Sequence, residues 1–330
     1  MNVLNLVNKI SITSIPSRWT DFLQRNKNEH KTYLIELNKI KKCFSFKKKE
    51  TIIHGHHAKS MSIFLVVNLF FGFKNIYTVH GSYLYLSKIN KILFKFIIKN
   101  TDYIIFVNYA LFDQLPDYIK NKIVDKTQVI CNGVEDNYDF KRIDIVKKYN
   151  IQKDFKYIFH PARFVEEKNH LLVLEGFKLA LKTNDKLRLI IAGDGKLKPQ
   201  IEAKIAELKL EGEVDLIGLI DKDEVFNFYE KCDLFIMPSI SEGLNVSFLE
   251  ALSLNCKIVV SDIKQFSQPV ELSSYSFDEL NITLSDPYDI FSISNALLVS
   301  IEKDKVALKE NPFSINNMIE SYLKLYKELL

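Results

Sequence analysis

Short apolar runs alternate with helix-length segments along this chain, and that alternation restricts the fold more than any other feature. Candidate strands lie at Val3–Val7, Thr32–Ile35, Thr51–His54, Ile76–His80, Tyr103–Val107 and Gln128–Cys131. Strands that alternate with helices in this way form a parallel sheet with helices on both faces. The second half repeats the pattern, with Lys156–His160, the buried run L-R-L-I-I-A ahead of a glycine turn at 187–195, and Leu234–Met237. A chain of 330 residues is too long for one ordinary core. Two domains are expected, 1–140 and 151–312, joined near Asn137–Asp154, with an amphipathic last helix over 313–330.

Charge is uneven along the chain. Residues 1–150 hold 24 Lys and Arg against 12 Asp and Glu, a balance of +12, and the remaining 21 and 29 leave −8. A basic first half on a nearly neutral protein points to an anionic partner there. Nucleic acid is not expected, since zinc fingers, RNP motifs and basic-aromatic interleaving are missing. In Leu84–Asn100, Lys88, Lys91, Lys95 and Lys99 share one helical face, with Leu86, Ile89, Leu93, Phe96 and Ile97 on another. That helix fits peripheral contact with an anionic membrane, or equally a core helix with a solvated lysine face. Lys39–Lys49 reads as a solvated loop. Cys43, Cys131, Cys232 and Cys256 are isolated, which suits a reducing compartment. The N-terminus lacks a signal-peptide pattern, and the longest apolar run, Ile63–Phe71, is too short to span a bilayer. A cytoplasmic protein is expected, with the inner face of the cell membrane as a possible station.

The stretch Asp233–Leu252, D-L-F-I-M-P-S-I-S-E-G-L-N-V-S-F-L-E-A-L, carries the chemistry. Its strand is stopped by Pro238 and Ser239, and a helix begins near Asn245. A helix start offers unpaired N–H groups and a positive dipole end to an anion. Glu242 and Glu250 add carboxylates that accept hydrogen bonds from sugar hydroxyls. The plain alternative is a surface acid at a helix start for Glu242 and a solvated helix carboxylate for Glu250, which is how Glu250 alone would read.

Here the chain resembles a known family. E-G-x5-L-E-A after D-x-F-x-x-P-S resembles the acidic motif of the GT-B retaining glycosyltransferases of glycosyltransferase family 4. H-P-A-R-F-V-E-E-K-N (160–169) resembles the family's G-R-L-x-x-E-K-N, and V-D-L-I-G-L-I (214–220) its V-x-F-x-G-x-V. I-I-H-G-H-H (52–57), Y-T-V-H-G-S (77–82) and V-I-C-N-G-V-E (129–135) resemble strand ends of its acceptor domain. Departures are the glycine-free stretch 9–19, Pro161 and Ala162 where glycine is usual, and Asn255 at another glycine position, where Asn tolerates a left-handed backbone. The string G-D-G at 193–195 lacks the third glycine of a dinucleotide fingerprint and reads as a packing turn.

The resemblance implies an α/β GT-B fold, two Rossmann-like domains facing a central cleft, with the last helix crossing back to the first. It implies Arg163 and Lys168 on the donor diphosphate and Glu242 on the donor sugar. Glu250 is implied on the ribose, Ile220 (with Leu219) at the base, and Gly243, Leu244 and Asn245 as N–H donors. His80 is implied at the reaction centre, a satisfied histidine capping the next helix being its plain alternative. His54, His56 and His57 read as packing and cleft residues rather than a metal cluster. The expected activity is retaining transfer from a nucleoside-diphosphate sugar to an acceptor hydroxyl, on a lipid-linked or membrane-held glycan of bacterial surface polysaccharide. No cofactor or metal is expected, on the reading that an Asp-x-Asp motif is missing. A sugar-nucleotide epimerase and a non-catalytic nucleotide-sugar binding subunit are the alternatives.

Overall fold

Strand pairings among the described residues are all parallel and sort into two sheets of six. The structure is a computed structural model and describes residues 1–8, 20, 31–135, 138–271 and 273–330. The glycine-free stretch 9–19 lies outside the described residues.

The first unit, Met1–Gly133 with Ile315–Leu330, contains β1 (Asn2–Val7), β2 (Lys31–Glu36), β3 (Thr51–Gly55), β4 (Lys74–Val79), β5 (Tyr103–Phe106) and β6 (Thr127–Val129). Its first four helices are α1 (Ala58–Phe71), α2 (Lys88–Asn100), α3 (Tyr109–Asp113) and α4 (Asp117–Ile123). The strand order is β2-β1-β3-β4-β5-β6. β1 and β3 are buried along almost their whole length because both sheet faces are covered. Gly55, one residue on from His54 and so on the opposite face, lies against Met61 of α1. α2 packs beside α1, as two right-handed crossovers in the same direction require.

The second unit, Val134–Ser314, opens with α5 (Ile145–Lys148) and continues β7 (Lys156–Pro161), α6 (His170–Leu181), β8 (Leu187–Ala192), α7 (Lys198–Glu207), β9 (Val214–Gly218) and α8 (Lys222–Lys231). It then runs β10 (Leu234–Met237), α9 (Val246–Ser253), β11 (Ile258–Ser261), α10 (Lys264–Glu271), β12 (Ile282–Ser285) and α11 (Ile290–Glu302). The order β12-β11-β10-β7-β8-β9 is that of a Rossmann sheet. One face is filled by Ile158, Leu189, Ile191 and Ile236 against Val173 and Phe177 of α6 and Ile293 and Leu297 of α11.

The chain ends in α12 (Ile315–Leu329), which belongs to the first unit. Its buried residues Ile315, Met318, Ile319, Tyr322, Leu325 and Tyr326 recur at helical spacing. They cover the sheet face that carries Val3, Ile52, Ile76 and Ile105.

Three sequence expectations shift. Lys39–Lys49, expected as a loop, is largely two 3-10 turns, Leu37–Ser45 and Lys48–Glu50. The cause is apolar anchoring: Cys43 is buried, its thiol pushed up to about 12 by desolvation, and Phe44 packs on Phe64 and Phe71. The boundary near 140 moves to Gly133, because Tyr138 and Phe140 pack on Phe226 and Ile143 N–H donates to Asn227 Oδ1 at 3.1 Å. The helix expected over Leu84–Asn100 starts only at Lys88, where the Ser87 side chain caps it. It buries Phe94, Ile97 and Ile98, leaving Ile89 exposed. Asn255, by contrast, has the left-handed backbone foreseen for it, at φ 58°.

Candidate active site

In the second sheet the strand order reverses between β7 and β10, which pair directly. A crevice opens at the carboxyl ends of strands at such a switch point, because the flanking loops leave in opposite directions. The loop after β7 carries Arg163 and Lys168, and the loop after β10 carries Glu242. The motifs of the sequence therefore fall on the two loops that flank this point.

Backbone geometry builds the first loop. Gly193 and Gly195 both have φ +152°, and a Cβ on Gly193 would stand 2.0 Å from the Ala162 carbonyl oxygen. A Cβ on Gly195 would stand 2.6 Å from that of Phe164. The 193–195 turn thus presses directly on the 162–164 backbone, and Phe164 N–H donates to Asp194 O at 2.9 Å. Glycine's missing side chain permits this approach. Beneath the loop, the His160 and His170 rings pack at a tilt, with centroids 4.6 Å apart. Burial holds His160 down to about 4 and His170 to about 2, so both stay neutral and give the cationic loop an uncharged floor.

Lys168 and Glu242 form an ion pair, with side chains 11% and 10% exposed. Each charge compensates the other where neither is well hydrated. The two loops are also tied through backbone, Ile240 N–H donating to Glu167 O at 2.9 Å. Arg163 is exposed on the same loop as Lys168. Asn169 was quoted in the sequence motif without a role, and the structure supplies one. At φ 60° it turns the chain into α6, and its Nδ2 donates to Pro238 O at 3.2 Å and Pro287 O at 2.6 Å. It therefore ties the loops after β7, β10 and β12 together, a role that sequence spacing could not show because its acceptors are backbone carbonyls 69 and 118 residues away.

The start of α9 differs in detail from expectation. Asn245 is its N-cap, and Asn245 Oδ1 accepts from Ser247 N–H at 2.8 Å and Phe248 N–H at 3.3 Å. Two helix-start donors, Ser247 N–H and Phe248 N–H, are therefore already used. Gly243 is half-buried, Leu244 buried, and Glu250 is buried on the second turn. Gly193 N–H donates to Gly218 O at 2.8 Å, which brings the end of β9 beside the 193–195 turn. Ile220 is half-buried there and Leu219 exposed. The expectation of a missing Asp-x-Asp string is corrected: Asp221 and Asp223 form one. Asp221 is occupied as the N-cap of α8, accepting from Glu224 N–H at 2.8 Å.

The first unit has its own polar cluster at the ends of β1, β3 and β4. Asn5 Nδ2 donates to Thr20 Oγ1 at 3.2 Å, leaving Asn5 Oδ1 to accept from His56 Nε2 at 3.0 Å. His56 Nδ1 then carries a lone pair, and His80 Nε2–H donates to it at 3.1 Å. That assignment leaves the Nδ1 lone pair of His80 outward of the chain of bonds. His80 is half-buried and held down to about 4, by desolvation first and the charge of His57 second. His54 is a core residue, bonded to Tyr326 Oη at 2.7 Å and Thr78 Oγ1 at 2.6 Å. Among the described residues no three His, Cys, Asp or Glu side chains are grouped to hold a metal ion.

Two parallel six-stranded sheets with flanking helices, the second in Rossmann order, define a GT-B fold. The solved structure of Anabaena HepE in complex with UDP has the same fold, with a TM-score of 0.79 over 100% of both chains at 14% identity. Residues 141–304 match the family model of the glycosyl transferases group 1, and the chain belongs to that family. An uncharacterised glycosyltransferase of Methanocaldococcus jannaschii is 26% identical over 310 residues, 90% of this chain and 81% of that one. An N-acetylgalactosamine-N,N'-diacetylbacillosaminyl-diphospho-undecaprenol 4-alpha-N-acetylgalactosaminyltransferase of Campylobacter jejuni is 27% identical over 222 residues, 67% of this chain. The chain spans 56% of that relative's length and 44% of another's. No helix among the described residues is long and apolar enough to cross a membrane.

Proposed function

We propose that this glycosyltransferase moves a sugar from a nucleoside-diphosphate sugar to an acceptor hydroxyl, with retained anomeric configuration, on a lipid-linked or membrane-held glycan of bacterial surface polysaccharide. The observation that carries the donor half is the pairing of Lys168 with Glu242 beside Arg163 at the β7/β10 switch point. A departing diphosphate needs positive charge that acts more strongly as negative charge develops on it. Arg163 offers a planar fork for two phosphate oxygens, Lys168 a compact point charge, and the N–H groups ahead of Ser247 a dipole end. Glu242 accepts from donor sugar hydroxyls, Glu250 from the ribose, and backbone at Leu219 and Ile220 holds the base.

In this reading Lys168 exchanges its partner when donor arrives. Glu242 turns from the ammonium to the sugar hydroxyls, and the ammonium turns to the phosphate. The leaving phosphate oxygen takes the acceptor proton, so no side chain serves as covalent nucleophile. His80, neutral and oriented by His56 and Asn5, belongs to the first domain, which takes the acceptor. Transfer proceeds without a resident metal, in the cytoplasm at the inner face of the cell membrane. The lipid-linked acceptor follows the Campylobacter relative's name, which describes a sugar carried on diphospho-undecaprenol.

The test is product analysis of purified protein given a panel of nucleoside-diphosphate sugars, with and without a polyprenyl-diphosphate glycan, before and after chelator treatment. A glycan extended by one sugar of retained anomeric configuration supports the proposal. An altered nucleotide sugar formed from donor alone, or an inverted linkage, overturns it.

A further inference from the structure

We propose that the outer faces of α1 and α2 together form a docking surface for an anionic lipid bilayer. This deepens the reading of a membrane-held acceptor, but it stands on the first unit alone and is tested without turnover.

α1 is apolar on both sides. Met61, Phe64 and Leu65 face the core, while Ile63, Val66, Leu69, Phe70 and Phe71 are exposed, Phe70 by 87%. Ile63, Val66, Leu69 and Phe70 fall at i, i+3, i+6 and i+7 and so make one outward stripe, with Phe71 at the helix end beside it. A surface helix normally sheds its apolar residues on the solvent side. The neighbouring α2 adds Ile89 and Ile92, 72% and 67% exposed, preceded by exposed Leu84 and Tyr85. The two helices pack side by side, so their outer faces join. A large exposed apolar area of this kind marks an interaction surface.

Charge names the occupant. From Thr51 to Thr101 the chain contains no Asp or Glu, and six lysines: Lys59, Lys74, Lys88, Lys91, Lys95 and Lys99. Ile92 lies one turn from Lys88 and one turn from Lys95, so apolar and cationic groups alternate along one face. At the flank of α2, Lys95, Lys99, Lys122 and Lys126 line a cavity of about 300 Å³ with Tyr118, against α4. Lys95 stands 5.2 Å over the Tyr118 ring. An apolar stripe with lysines and no acid on either helix, Asp117 and Asp125 lying only on the α4 flank, suits lipid phosphates above and acyl chains below. A folded protein partner would have to supply both a large apolar face and a nearly uniform negative rim, and a bilayer supplies both without a matching shape.

The experiment is co-sedimentation of the full chain with vesicles of phosphatidylcholine alone and with about one third phosphatidylglycerol, at low and high salt, read without donor. Binding at least about tenfold tighter to the anionic vesicles, weakening with salt, is the expected result. The variant Leu69→Glu/Phe70→Glu should lose about tenfold or more of that binding with an unchanged melting temperature, since both side chains are exposed. Lys88→Ala/Lys95→Ala should lose the preference for anionic lipid while keeping the fold. Equal binding to both vesicle types, or unchanged binding by the double-glutamate variant, overturns the proposal. So does a wild-type dimer in solution that this variant makes monomeric, which would assign the face to a second copy of the chain.

Discussion

Lys168 and Glu242 hold one another in the absence of donor, and this sets what each substitution should do. Glu242→Ala leaves the Lys168 ammonium poorly hydrated and unpaired, a cost of about 3 kcal/mol, so its melting temperature should fall. Glu242→Gln keeps the shape and a hydrogen-bond acceptor, should fold more stably than the alanine variant, and should still lower kcat/KM about a hundredfold. A Gln variant with full activity would show that the carboxylate charge is idle. The histidines give a second test at this scale. His54, His56, His80, His160 and His170 are all held below the ordinary value of 6.5 by burial. Below 6.5 the unfolded chain binds protons that the folded one refuses, so their stabilising contribution is complete above 6.5 and is lost as pH falls toward the folded values. The melting temperature should therefore drop between about pH 7 and about pH 5; a flat profile in calorimetry would contradict the assignment. The types and positions of these residues were legible in the motifs except for His170, which lies one residue beyond the stretch 160–169. Their pairings were not, because Lys168 and Glu242 are 74 residues apart and contact at that distance comes from sheet order.

Elements were legible where apolar runs and stop signals coincide. Leu234–Met237 is a strand in both readings because Pro238 closes it, and α9 starts where Asn245 provides a cap. Lys39–Lys49 was obscured because its lysines dominate the string, while Cys43 and Phe44 determine its packing. The burial of α2 was misplaced because α1 beside it covers a different side than an isolated amphipathic helix would bury. Asn169 joins three loops at one residue, and its test separates backbone from side chain. Asn169→Gly keeps the left-handed φ at little cost and removes both hydrogen bonds, so it should fold yet raise the KM for donor. Asn169→Ala adds about 1 kcal/mol of left-handed strain and should melt lower than the glycine variant. Equal donor KM for wild type and Asn169→Gly would remove the loop-tying role.

At the scale of the whole molecule, the two-sheet architecture was legible in the alternation of strands and helices, and the last helix in its amphipathic spacing. Sheet order was less so, since β7 pairs with β10 across 70-odd residues, and it is this order that gathers the donor motifs. Of the +12 balance of the first half, the six lysines of Thr51–Thr101 carry +6, and the structure puts four of them, Lys88, Lys91, Lys95 and Lys99, on α2. The central claim is that the β7/β10 switch point of the second domain holds a nucleoside diphosphate. It is tested most directly by thermal stabilisation of wild type, Arg163→Ala and Lys168→Ala with UDP, GDP, ADP, CDP and dTDP. At a hundredfold excess over the dissociation constant, a ligand that binds the folded state alone adds about 2.7 kcal/mol. One base should raise the wild-type melting temperature by several degrees, with the shift reduced or lost in both variants. No shift with any base, or equal shifts in wild type and both variants, would contradict the account.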